Sequence, residues 1–73
     1  MIGKIVAISD INVSIFADYS QEVKIGDILY TEVQDKIYRF EIVEVKNNTI
    51  TTIPFSSVIG LKRGLPVYPL KKG

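Results

Sequence analysis

The chain has 73 residues, 47% hydrophobic and 23% charged, with nine basic against eight acidic side chains for a formal net charge of +1, and it contains neither Cys nor His. That is room for one small domain and no separate catalytic one, a globular rather than disordered composition, and a charge too balanced for a dedicated nucleic-acid binder. The two missing residue types exclude disulfide frameworks, thiolate chemistry, His-based triads and the commonest zinc ligands.

Residues 2–8, "IGKIVAI", are dense in β-branched side chains and predict a first strand, closed by the turn-former Asp10. A tight hairpin at residues 9–11 leads into "INVSIFA", with Val13, Ile15 and Ala17 on one face and Asn12, Ser14 and Phe16 on the other. Residues 18–22, "DYSQE", are polar and irregular, so the chain leaves the sheet there. Gly26-Asp27 is a turn signal ahead of "ILYTEV", where Ile28, Tyr30 and Glu32 alternate with Leu29, Thr31 and Val33. "QDK" connects to the longest run, "IYRFEIVEVK". There Tyr38, Phe40 and Ile42 share one face and Arg39, Glu41 and Val43 the other, until the phase slips near Ile42-Val43 and Val43 and Val45 take over the apolar face. A β-bulge or a strong bend accommodates such a slip.

Asn47-Asn48 predicts a two-residue hairpin turn, since Asn tolerates positive φ. With Thr49 it spells a glycosylation acceptor, but without a secretory signal the turn is the better reading. "TITTIPF" is the next strand, with Pro54 at a strand end, a bulge or an edge. "SSVIGLKRG" reads as one helical turn or an irregular loop, and "LPVYPL" as a last strand whose flanking Pro66 and Pro69 mark it as short or as an edge.

Six strands result, spaced by about 8 to 12 residues as in small sandwiches and barrels. The expected fold class is all-β: a small closed six-stranded β-barrel with Greek-key-like topology, because closure removes the edges that an open sheet would leave. Gly3, the phase slip and Pro54 are the candidate bends. No apolar run approaches the ~18 residues of a membrane span and no signal-peptide core opens the chain, so a cytoplasmic protein without membrane insertion is expected.

The search for chemistry finds little. The glycines at 3, 26, 60, 64 and 73 do not make a phosphate-cradling loop, and "GLKRG" carries its lysine in the wrong order for one. Glu41 and Glu44, three apart on a strand, project to opposite faces unless the slip intervenes, and charged outer-face residues are the plainer reading. Asp10, Asp18, Asp27 and Asp35 each sit beside a turn, where Asp serves local hydrogen bonds rather than a metal. The aromatic residues Phe16, Tyr19, Tyr30, Tyr38, Phe40, Phe55 and Tyr68 are expected as core rings with a tyrosine or two at the rim, and Arg39 is opposed to both its ring neighbours.

The order of the pieces resembles a known family. "IGKIVAISDINVSIFADYSQEVKIGDILYTE", then "FEIVEV", then "TTIPFSSVIGLKRGLPVYP", are similar to the N-terminal β-barrel of the nucleotide-binding subunits of rotary ATP synthases, the HAS-barrel that also caps HerA-type DNA translocases. The discriminating part is the tail: Thr52-Ile53, Ser56-Ser57, then Gly60, Leu61, Lys62, Arg63 and Gly64, then Val67. The resemblance implies that residues 1–73 are a single non-catalytic barrel, the N-terminal domain of a larger hexameric ATPase. It implies as partners copies of the chain or homologous subunits in a ring, and nucleic acid only through a HerA-like parent. ATP and Mg belong to a downstream domain, no cofactor to this one, and the abrupt "LKKG" end favours an excised domain. Gly60, Leu61, Lys62, Arg63 and Gly64 are the expected family-marker or subunit-interface loop, with Leu61 plugging the barrel end and the basic pair wet or facing a neighbour. The alternative is an OB- or KOW-like nucleic-acid-binding barrel using Lys62, Arg63, Lys71, Lys72 and the aromatic face, or a translation-type barrel docking on ribosomal RNA or protein.

Overall fold

The computed structural model describes residues 1–17 and 23–71. Its strands are β1 (Gly3–Ile8), β2 (Val13–Phe16), β3 (Ile28–Val33), β4 (Lys36–Lys46), β5 (Thr49–Pro54) and β6 (Pro66–Pro69). They close into a barrel in the order β1-β2-β5-β4-β3-β6, with every neighbouring pair antiparallel. Strands β3, β4 and β5 form a meander and β6 returns beside β3, which is a Greek key. The expected all-β closed barrel is the observed one. The irregular loop expected at 18–22, with Asp18 and Tyr19, lies outside the described residues, as does Lys72.

Turn chemistry sets the hairpins. Gln34 and Asp35, at φ 49° and 68°, stand between the paired residues Val33 and Lys36, so a two-residue loop with both residues left-handed joins β3 to β4. A two-residue loop also stands between Lys46 and Thr49, with Asn47 alone left-handed, at φ 54°. Between β1 and β2 the Ser9 hydroxyl accepts the Asn12 N–H at 3.0 Å while the Ser9 N–H donates to the Asn12 carbonyl at 2.8 Å.

The inward face of each strand fills the barrel. Ile5, Val13, Ile15, Leu29, Phe40, Ile42, Ile50 and Val67 are each at most 2% exposed. Burial of each such side chain contributes about 1.5–3 kcal/mol relative to leaving it exposed. Two polar residues share this interior. The Thr31 hydroxyl donates to the Pro66 carbonyl at 2.7 Å and the Thr52 hydroxyl to the Val13 carbonyl at 2.8 Å, so neither is buried without a partner.

The phase slip is a bulge at Val43, where the register with β5 shifts between Ile42 and Glu44. Val43 is half-buried, while Val45 shares the register of inward Ile50 yet is 41% exposed. The expectation of a renewed apolar face therefore holds weakly, because the strand runs past the end of the packed interior. A second bulge, at Val6, shifts the β1–β2 register between Ile5 and Ala7. Gly3 serves close approach: a Cβ there would fall on the Phe16 carbonyl oxygen.

Two alternatives that the sequence leaves open are decided, and one expectation is overturned. Strand β6 is short but is no edge, since it pairs with both β1 and β3; its prolines sit at its two ends, where few ladder donors are needed. The segment between β5 and β6 is the irregular loop rather than a helical turn. Of the described aromatic residues only Tyr38 and Phe40 are buried, and Phe16, Phe55 and Tyr68 lie on the outside, since β-branched aliphatic residues already fill so narrow a barrel.

Candidate functional site

The segment 55–65 leaves β5 after Pro54 and crosses one end of the barrel to reach β6 beside β1. Both sides of the crossing are anchored. Near β4 the Phe55 N–H donates to the Arg39 carbonyl at 2.9 Å, and the Tyr38 hydroxyl donates to the Ile59 carbonyl at 2.5 Å. At β1 the Gly64 N–H donates to the Ile5 carbonyl at 2.7 Å, and the Ile5 N–H to the Leu65 carbonyl at 3.0 Å.

Between these anchors the chain needs two left-handed residues, and glycine supplies both: Gly60 has φ 97° and Gly64 φ 91°. Gly60 is also held close, since a Cβ there would meet the Tyr38 hydroxyl. Leu61 is half-buried and packs with Val58 and Leu65 against the core. Lys62 and Arg63 follow it on the exposed side. The arrangement closes the barrel end with aliphatic side chains and presents two cations on a turn fixed at both sides.

A second surface is built on β4. Glu41 lies in register with Ile53 on one side and Ile28 on the other, and Glu44 with Thr51. Were Val43 paired in a regular ladder, it would face Thr51 and Glu44 would fall opposite buried Ile50; the bulge at Val43 carries Glu44 to the outside. The slip thus does intervene, and both carboxylates occupy the exposed outer face, as the plainer reading held.

The outer face also holds a row that strand patterning alone does not find. Arg39 is indeed opposed to Tyr38 and Phe40, but it is in register with Tyr30, which pairs with Tyr68. The Tyr30 and Tyr68 rings lie 5.6 Å apart at 34°. Only the strand order reveals this neighbourhood, because the three residues come from three different strands.

At the opposite end a groove of about 1020 Å³ is lined by residues including Ile2, Leu29, Leu70, Asp27, Glu41 and Lys71. The Asp27 carboxylate accepts the Lys24 N–H at 3.0 Å and so organises its own turn. Among the described residues no three Asp or Glu side chains group as metal ligands would, and no helix is long and apolar enough to cross a membrane.

A filled, closed barrel of six antiparallel strands in this Greek-key order has the fold of the HAS-barrel at the N-terminus of ATPase subunits. Among solved structures it is similar to the assembled ATPase EscN of the type III secretion system of enteropathogenic E. coli, with a TM-score of 0.74 and 19% identity. The likeness covers 94% of this chain and 16% of that one. No family model and no curated protein matches the sequence.

Proposed function

We propose that the chain is a non-catalytic N-terminal HAS-barrel of a hexameric P-loop ATPase, and that it holds neighbouring subunits of the ring together. The supporting observation is the match of nearly the whole chain, 94%, to a small part, 16%, of an assembled ATPase. That proportion suits an accessory barrel ahead of a motor domain, in a cytoplasmic protein of the synthase, secretion or HerA-like kind. The barrel itself contributes rigidity: an interior filled by interlocking side chains deforms little, so contacts on its outside keep fixed positions. ATP and Mg would bind the motor domain.

The test is removal of residues 1–73 from the full-length subunit, followed by light scattering in the presence of ATP and Mg. Loss of the hexamer with a folded motor domain is the expected result, and undiminished ring formation would overturn the reading. Calorimetric titration of the isolated barrel with ATP should show no binding.

The outer row of Arg39, Tyr30 and Tyr68 favours one rival, a barrel that stacks single-stranded nucleic acid on exposed rings beside a cation. That rival requires binding at low salt that falls steeply as salt rises. Absence of oligonucleotide binding at low ionic strength removes it.

A further inference from the structure

The cyclic strand order places β1 and β4 three positions apart in a ring of six, so they lie diametrically opposite each other. Their outer faces differ in charge. On the β1 side stand Lys4 and, on the crossing loop that hydrogen-bonds to Ile5, Lys62 and Arg63; all three are exposed, with exposed Val6 beside Lys4 on the strand. On the β4 side Glu41 and Glu44, brought to one face by the Val43 bulge, form an acidic centre flanked by exposed Arg39 and Lys46, with exposed Ile53 in register with Glu41.

From this we propose, building on the ring reading above, that one barrel docks its β1 face onto the β4 face of the next copy. Lys4, Lys62 and Arg63 meet Glu41 and Glu44 of the neighbour, and Val6 and Ile53 supply the apolar part of the contact. Two unlike faces on opposite sides of one body make a head-to-tail interface, and repetition of such an interface closes a ring when the rotation per subunit suits it. A two-fold dimer would instead bring like faces together and set the basic triplet against itself. Charge complementarity of this kind steers and orients association more than it strengthens it.

The residues flanking the acidic pair act in the same sense. Arg39 and Lys46 lie on β4 two positions outside Glu41 and Glu44. A neighbour that slips along β4 meets one of these cations with its own basic loop, so repulsion penalises the wrong register. The Val43 bulge is the device that allows this, since it places Glu44 outside.

The chain has no cysteine, which makes a direct test available. Lys62→Cys and Glu44→Cys are made singly and together, and each protein is treated with a short bis-maleimide at high protein concentration and low ionic strength. The double variant should give a ladder of oligomers, a mixture of the two single variants should stop at dimers, and neither single variant alone should cross-link. Dimers from a single variant would overturn head-to-tail docking in favour of a two-fold contact. Failure of every combination to cross-link would overturn the face assignment; if residues 1–73 are nonetheless needed for the hexamer, the ring reading survives it, and if they are not, both fall.

A charge reversal gives an independent readout by sedimentation, with far-UV circular dichroism confirming that each variant is folded. The pair K62E/R63E should weaken self-association by about tenfold or more, as should E41K/E44K, and the fourfold reversal should restore it. Equal association by all four proteins would overturn the proposal.

Discussion

Tyr38 performs three tasks with one side chain. Its ring is 5% exposed within the core, the Lys36 ammonium lies 4.7 Å from the ring centroid, and its hydroxyl holds the crossing loop through the Ile59 carbonyl. Tyr38→Phe should keep the ring and lose the tether, costing about 1–2 kcal/mol by urea denaturation. Gly60→Ala should cost about 2 kcal/mol, partly because its φ is unfavourable for alanine and partly because the new methyl meets the Tyr38 hydroxyl. The two losses should not add: Phe at 38 removes the atom that the methyl meets, so the double variant should be more stable than the sum by about 1 kcal/mol. The Tyr38–Ile59 contact was illegible in the sequence, because no local pattern joins a strand residue to a carbonyl in a loop beyond the next strand. Thr52 was hidden for a related reason. In "TITTIP" both alternating faces carry Ile or Pro and Thr, and only the Val13 carbonyl, contributed by another strand, makes burial of the Thr52 hydroxyl tolerable.

Among the elements, β4 accommodates a single extra residue at its bulge. Deleting Val43 would remove the bulge yet leave Glu44 opposite Thr51 on the outside, so the barrel should keep a cooperative thermal transition, at a midpoint lowered by the loss of the half-buried valine. The β3–β4 turn carries the opposite prediction: Gln34→Asn with Asp35→Gly fits both left-handed positions better, and should raise unfolding stability by about 1 kcal/mol. The contrast between the two bulges explains what the sequence discloses. Around Val43 the alternation of charged and apolar residues breaks visibly, so the slip could be located; around Val6 the run Ile5-Val6-Ala7-Ile8 is apolar throughout and carries no phase to break. The crossing loop was legible from Gly60 and Gly64, whose spacing marks two left-handed turns. The outer placement of Phe16, Phe55 and Tyr68 was not, since a ring is as compatible with a wet strand face as with a dry one.

For the molecule as a whole, closure depends on the shortest contacts. Strand β6 joins β1 through the pairs Gly3 with Val67 and Lys4 with Pro66, and joins β3 through Leu29 with Pro69 and Tyr30 with Tyr68. Removing residues 66–71 should open the barrel and leave β1 and β3 with unpaired edges, giving an aggregating chain without a cooperative urea transition. That seam also sets how the domain bears a load. The Ile2 N–H donates to the Val67 carbonyl at 2.7 Å, so the first and last strands lie antiparallel with the start of one beside the end of the other. Tension between the two ends of the chain therefore peels the seam bond by bond from Ile2 onward, rather than shearing many bonds at once. The barrel gives way first at its seam, and the packed interior is spared until the seam is open.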